Sequence, residues 1–500
     1  MPTHYQTIQG AINAANEGDT VLVAIGTYNE NLVIEKTIVL ASYAINYELD
    51  DSWISQNDGT TNHLDFNSEY TPFDVQDYIG STIINGYNPE NPQSVILINS
   101  PAGSNDCISP EIIGFTISEG SGTIVIDDTG WIEQRMGGGI FINSAAPKIN
   151  YNFIKDCNCD NRDCTIASGG GVNLSTGVNF PTHTGLVASQ LRCDDDLDFS
   201  NNMFYNNEAT FGSTFDSDDF SGTVDLSGSY FDVYAGSNQD VSDYWVNVDE
   251  NIEGIVLNNS YGFENAIIEN VWVSPYGDDL NSGMSASPHE AFKTIAHALS
   301  RVYGSSENPV TIHLSEGEFS PETNQEVFPI HLIPHVTLKG AGNTLSILDS
   351  QGTNTVVNVQ GSTGNIISNL TIQNGYCNYE DGIFTQYKTG SGINVLYSDL
   401  IIYDVIVKDT QKETAIASYY GSIKLFNSII RDNGNLDNQS YHWPIALQAS
   451  ESEVIIDHCI FYNNSHGVSD ENDYPGHIIQ PGESNSPLIT NTIFWENVGD

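Results

Sequence analysis

Lys408 and Arg431 are the residues of this sequence best placed to do chemistry. Each closes an apolar strand phrase and precedes an acid, in VKD and IRD, and the two phrases are successive copies of one repeat, so the cations are expected one above the other. A cation beside another cation holds its proton less tightly, which is what makes a base of it. Asp409 and Asp432 would then stand on adjacent rungs, and neighbouring carboxylates are the hard oxygen ligands that Ca²⁺ takes. Cations are few: Lys plus Arg number 14 against 65 Asp plus Glu, a formal net charge of −51 over 500 residues. Lys155 holds the same repeat position, which elsewhere carries Ser118, Gln373, Tyr205, Tyr462 and Trp495. So variable a position reads first as an exposed column, where a cation needs no catalytic explanation.

The aromatic members of that column, Tyr205, Tyr462 and Trp495, point to binding more than to catalysis. Rings in line along a flat surface grip an extended sugar chain face to face; the plainer reading is side-chain stacking along a parallel sheet. A hydrolase would want paired carboxylates facing one groove. The densest acidic run, Asp194, Asp195, Asp196 and Asp198, follows a long insertion and reads as a solvated turn, and Asp278 and Asp279 read as Asx-turn residues. Cys157, Cys159, Cys164 and Cys193 cluster about the insertion, whereas Cys107, Cys377 and Cys459 are dispersed. The cluster is expected to form one or two disulfides pinning the insertion, because Cys-x-Cys-x(4)-Cys does not fit a zinc site; Cys459 reads as a packed thiol.

These residues are positioned by repeats. LIIYDVIVKD, KLFNSIIRDN, VIIDHCIFYNN and PLITNTIFWEN align with one another and with EIIGFTISEG, KINYNFIKDC, DFSNNMFYNN and ISNLTIQNG. With Ile117, Ile154, Phe204, Ile372, Val407, Ile430, Phe461 and Phe494 as anchors, the residue five before is always apolar: Ile112, Ile149, Phe199, Ile367, Ile402, Leu425, Ile456 and Ile489. Two residues after the anchor stand Glu119, Asp156, Asn206, Asn374, Asp409, Asp432, Asn463 and Glu496. Apolar and polar files at fixed offset are the mark of stacked coils, with like residues about 4.8 Å apart. Three before the anchor comes Gly114, Tyr151, Asn201, Asn369, Asp404, Asn427, His458 and Asn491, expected to be an amide ladder in a turn with Asp404 and His458 as structural members. Gly-rich phrases at Gly137, Gly169 and Gly390 supply a second strand per coil and its corner.

The expected fold is therefore all-β, a right-handed parallel β-helix (a solenoid). YQTIQGAINAA, with Tyr5, Ile8, Ile12 and Ala15 on one face, predicts a short helix capping the first coil. The opening recurs near Val271, where Phe292, Ile295, Ala296 and Leu299 match the first helix and VTIHLSEGEFS matches VLVAIGTYNE. Two tandem β-helix domains follow, 1–268 with inserted loops and 269–500, each opened by a capping helix; the last phrase stops mid-repeat, so the second is expected to be truncated.

YQTIQGAINAANEGDTVLVAIGTYNENL resembles the opening of the pectin-lyase-like right-handed β-helix proteins, including the NosD-like group. VWVSPYGDDLNSG followed by AFKTIAHAL resembles another opening of the same superfamily, found in polysaccharide lyases and large secreted bacterial surface proteins. The resemblance spans nearly the whole chain and implies fold more than activity, since that superfamily mixes lyases, hydrolases, epimerases and adhesins. For a lyase it implies a Lys or Arg base, often with Ca²⁺ neutralising a uronate, which returns Lys408 and Arg431 as the catalytic pair and Asp409 and Asp432 as the metal pair. The acidic chain offers no basic cluster for nucleic acid and no span for a bilayer. Three functions are weighed: a secreted or cell-surface, non-catalytic adhesion or glycan-binding module, which is preferred; a Ca²⁺-dependent polysaccharide lyase; and a structural spacer. The expected partner is an extracellular polysaccharide or cell-surface glycan bound by a monomer, with no cofactor required and Ca²⁺ the one admitted.

Overall fold

A short strand with alternating apolar residues buries one face and leaves its backbone edges open, and stacking further coils on it satisfies both demands. In the computed structural model this is what the chain does. The structure describes residues 5–46, 75–126, 133–159, 166–181, 184–187, 189–193, 196–209, 212–218, 220, 222–234, 246–248, 254–256, 261–376, 390–411, 414–434, 446–464, 478–480 and 486–497. The chain divides into two compact units, with the boundary between Asn265 and Ala266.

In the first unit a coil runs through strands Glu111–Ile113, Thr116–Ser118 and Ile140–Asn143, and the next coil lies on it through Lys148–Asn150, Phe153–Lys155 and Val172–Ser175. Ile112 pairs in register with Ile149, Ile117 with Ile154 and Ile142 with Leu174, all in parallel. Repetition builds parallel sheets of four, six and seven strands. The second unit has a thirteen-stranded and a six-stranded sheet, again parallel. The architecture is a parallel β-helix, of the right-handed sense that crossovers between parallel strands take almost without exception. Among the described residues the one antiparallel strand pair is Thr123–Ile126 with Glu133–Met136, and Glu133–Met136 also pairs in parallel with Ile166–Ser168.

The apolar file runs as the repeats require. Ile367, Ile402, Leu425, Ile456 and Ile489 are successive register partners, and all but the last are fully buried. Ile489, on the last described rung, has no described rung beyond it and is 39% exposed.

The polar files do different work from that expected. Every non-glycine residue three before and two after an anchor has a left-handed backbone, with φ from 48° for Asn491 to 59° for Glu119, and Gly114 joins them at 84°. These are the two corners at which the strand turns, and Asn, Asp and Gly recur there because they tolerate that conformation best. The amide ladder lies one residue further on. Asn433, Asn464 and Asn497 follow the second corner, and each passes its side-chain carbonyl to the rung before: Asn433 Oδ1 accepts from Thr410 N at 3.1 Å, and Asn464 Oδ1 accepts from Asn433 Nδ2 at 3.0 Å. Asn152 and Asn202 do likewise after the first corner, Asn202 Oδ1 accepting from Asn152 N at 3.0 Å. His458 and Asp404 are accordingly corner residues: His458 turns to solvent against Asp457 at 2.9 Å, and Asp404 accepts from Asn343 at 2.6 Å.

Both predicted helices form, Ile8–Ala14 and Ile295–Arg301, burying Ile8 and Ile12 in one and Ile295, Ala298 and Leu299 in the other. Tyr5, expected on the buried face, is exposed ahead of the helix. Thr7 and Thr294 are the N-caps. A carboxylate from a later turn clamps the first two helical amides in each case: Glu30 accepts from Ile8 N and Gln9 N at 2.9 and 3.0 Å, Glu326 from Ile295 N and Ala296 N at 2.8 and 3.1 Å. Asp278 makes its Asx turn to Leu280 N, but Asp279 accepts from Lys293 N and Thr294 N and so fixes the entry to the second helix.

The disulfide expectation is corrected. Cys193 bonds Cys107, a cysteine that sequence spacing had set apart. Cys157 and Cys159 are free, buried thiols in the stacked wall, and Cys164 lies outside the described residues. Coil stacking brings the loop bearing Cys107 beside the end of the insertion, a proximity that sequence distance conceals.

Candidate functional site

The second unit carries an outward-facing strip on the strands that follow the first corner. After the corner at Asp404, Val405 and Val407 point inward while Ile406 and Lys408 point out, and Asp409 turns the chain again. Register repeats this on each rung. One outward file is Thr371, Ile406, Ile429, Ile460 and Ile493; the other is Gln373, Lys408, Arg431, Tyr462 and Trp495. Lys408 and Arg431 are thus direct register partners, as are Arg431 and Tyr462, and Tyr462 and Trp495.

Along the strip Ile406 is buried and Ile460 is 36% exposed; Ile493 and Trp495 lie on the last described rung, where the inward Ile489 and Phe494 are exposed as well. The isoleucine file escaped sequence reasoning, although its signal is there: VIV, SII, CIF and TIF break the alternation that a strand with a solvated outer face would show.

Each cation of the strip is paired within its own rung. Lys408 Nζ donates to Asp409 Oδ2 at 2.8 Å, and Arg431 donates to Asp432. Asp432 also accepts from Asn463 Nδ2 at 2.7 Å on the next rung. Asp349, which lies two rungs before Lys408, acts in the same way, accepting from Gln373 Nε2 at 2.6 Å and Asn374 Nδ2 at 2.8 Å, a role with no distinguishing signal in the sequence. Tyr462 shares a hydrogen bond with Glu496, and this, with the nearby acidic charge, raises the pKa of its hydroxyl. The edge of the strip is therefore a row of carboxylates and amides tied to one another.

The other residues singled out from sequence lie elsewhere. Tyr205 is exposed in the first unit, in register with Lys155, which pairs with Asp156 at 3.2 Å and sits over the Phe153 ring. Asn206 Nδ2 donates to Asp156 Oδ1 at 2.7 Å, so Lys155–Asp156 over Tyr205–Asn206 repeats the pattern of Arg431–Asp432 over Tyr462–Asn463. Asp194 and Asp195 lie outside the described residues; Asp196 accepts from Thr223 N, and Asp198 is tied to Asn150, Ser200 and Lys148. Among the described residues no group of three or more His, Cys, Asp or Glu could hold a metal ion. Asp409 and Asp432, each already engaged by its own cation, do not supply the six to eight oxygens that Ca²⁺ takes.

Residues 276–472 match the model of a family described as "Protein of unknown function (DUF1565)". With that match stand the parallel coils, their two left-handed corners and the asparagine ladder behind them. By fold, the chain is a parallel β-helix protein. No curated protein matches the sequence of this β-helix protein. Solved structures similar to it include the pectin methylesterase PemA from Erwinia chrysanthemi, 15% identical with a TM-score of 0.30 over 46% of this chain and 67% of that one. A PL6 family alginate lyase, 10% identical with a TM-score of 0.23, covers 97% of this chain and 88% of its own. The A-module of a mannuronan C-5 epimerase from Azotobacter vinelandii, 12% identical with a TM-score of 0.17, covers 98% and 91%. Likenesses this distant assign no activity to the β-helix protein. No helix among its described residues is long and apolar enough to cross a membrane.

Proposed function

We propose that the β-helix protein is a secreted or cell-surface module that binds an extended glycan without transforming it. One observation carries this reading: Tyr462 and Trp495 are register partners on adjacent rungs beside the outward Ile460 and Ile493, an amphipathic face of the kind a sugar chain covers with its C–H surfaces. The carboxylates along its edge, tied to neighbouring cations and amides, keep further lone pairs for sugar hydroxyls. Lys408 and Arg431 are neutralised within their rungs, and the whole chain carries −51, so a neutral polymer is favoured over a polyuronate. The Cys107–Cys193 bond supports an oxidising, extracellular location. The matching Thr caps and Glu clamps of the two helices support reading the chain as two tandem β-helix domains, 1–268 and 269–500, and we take the binding form to be a monomer.

Affinity electrophoresis through gels containing neutral or uronate polysaccharides tests the reading. Retardation by at least one neutral polymer, reduced in Trp495→Ala, is expected; migration unchanged in every gel would leave a spacer. A second reading, polysaccharide lyase, draws on the register pairing of Lys408 with Arg431. It requires ultraviolet absorbance from an unsaturated product of a uronate polymer, lost in Lys408→Ala or Arg431→Ala; seeing both would replace the reading preferred here.

A further inference from the structure

In the first unit the middle strands of the six-stranded sheet, Ile96–Asn99, Ile140–Asn143 and Val172–Ser175, have neither face open. Ile96, Ile98, Ile140 and Ile142 point into the coil, yet the outward residues Leu97, Asn99, Phe141 and Asn143 are buried as well. What buries them is the run after Ser175. Val178, Phe180 and Leu186 join Val125 and Met136 in a cluster over Leu97 and Phe141, with the Phe141 and Phe180 rings edge to face at 6.3 Å. Asn99 Nδ2 donates to Val187 O at 3.1 Å, Val178 N donates to Asn143 Oδ1 at 3.3 Å, and Ser144 Oγ donates to Ser189 O at 3.1 Å. The run ends at Cys193, bonded to Cys107.

Two features set this covering apart from ordinary core. The first is the chemistry underneath. Asn143 Nδ2 donates to Asn99 Oδ1 at 2.8 Å beneath the run, so the outward face there is partly polar. Uncovering such a face costs less than uncovering an apolar one, because water can serve its amides. The second is the mode of attachment. Apart from a single bridge between Ile126 and Asn179, the described residues of the run form no strand pairing; they are held by isolated hydrogen bonds, a small apolar cluster and one covalent bond at the far end.

We propose that residues 176–181, 184–187 and 189–193 form a cover over the outer face of this sheet, latched by the Cys107–Cys193 bond and released when a dithiol reduces it. A thiolate of the reductant attacks Sγ of Cys107, the less buried of the two cysteines; the S–S bond breaks and Cys193 leaves as a thiolate that takes a proton from water. The second thiol of the reductant then displaces Cys107 in the same way. Two electrons pass from the dithiol, which ends as a disulfide, and the protein ends with two thiols. Cys157 and Cys159 stand apart from this exchange, being buried and with thiols pushed up to about 12 by desolvation.

Hydrogen exchange read by mass spectrometry on the native chain, with and without dithiothreitol and with no denaturant, tests the latch. Peptides within 176–193 are expected to exchange about tenfold faster or more once the bond is reduced, while Val172–Ser175 beneath stays protected and far-ultraviolet circular dichroism is unchanged. The Cys107→Ala/Cys193→Ala variant is expected to show the fast pattern without reductant. Unchanged exchange in 176–193 after complete reduction would overturn the proposal, because the cover would then be held without its latch. Loss of protection in Val172–Ser175 as well, or a double variant that fails to fold, would equally overturn it, by showing the bond to be a staple of the whole unit.

Discussion

Glu326 sets two physical effects against each other, and a single substitution decides between them. Its side chain is 2% exposed and accepts from Ile295 N, Ala296 N and Asn324 Nδ2, at the start of the helix that opens the second unit. Desolvation pushes its carboxyl up from the ordinary 4.5 to about 7, while the three donors pull the other way. A carboxyl raised in the folded state contributes stability that is complete below its unfolded value and lost as pH rises through its folded one. A rise from 4.5 to about 7 corresponds to about 3 kcal/mol, lost between those two pH values. Glu326→Gln keeps the shape and cannot ionise, so it lacks this loss. Urea unfolding of both proteins at steps from pH 4.5 to 8 measures the difference. The variant is expected to gain on the native protein by about 3 kcal/mol across that range, a relative midpoint shift of about 1 to 3 M urea. If instead the native protein gains on the variant as pH rises, the helix amides and Asn324 outweigh burial and the reasoning fails.

Other consequences follow from the coil itself. Asn464 Nδ2 donates to Ile430 O and Asn497 Oδ1 while its carbonyl accepts from Asn433, so Asn464→Ala strands several buried polar groups; about 3 kcal/mol of destabilisation is expected in equilibrium unfolding. Asn463→Ala, at an exposed corner of the same rung, should also destabilise, but by about 1 kcal/mol or less, because its bond to Asp432 is solvent-facing; a cost equal to that of Asn464→Ala would contradict the ladder assignment. At Gly170 a Cβ would lie 2.5 Å from Ser213 O and 2.7 Å from Glu208 N, both backbone atoms, so Gly170→Ala should cost about 2 kcal/mol or more in thermal unfolding. Lys408→Ala removes a partly exposed ion pair and should change stability by about 1 kcal/mol or less.

The coil was legible because its signal is redundant: eight aligned phrases place an apolar residue at each inward position, and a one-residue slip would turn every such file outward. The corners were legible as columns but not in their role. Asn, Asp, His and Tyr share a left-handed backbone there, and composition alone does not distinguish that conformational requirement from a side-chain ladder, which lies one residue further on. The isoleucine file was hidden because an apolar outward residue resembles an inward one until register is known. The Cys107–Cys193 bond was hidden because it joins loops from different coils, a contact that sequence spacing does not encode.

Titration calorimetry with a neutral oligosaccharide that the native protein binds, repeated on Tyr462→Ala/Trp495→Ala, bears most directly on the strip as a binding face. Affinity is expected to fall at least about tenfold with the fold intact, the scale of one or two lost ring contacts. Equal affinity in the double variant, or no heat from any neutral glycan with the native protein, would contradict the account.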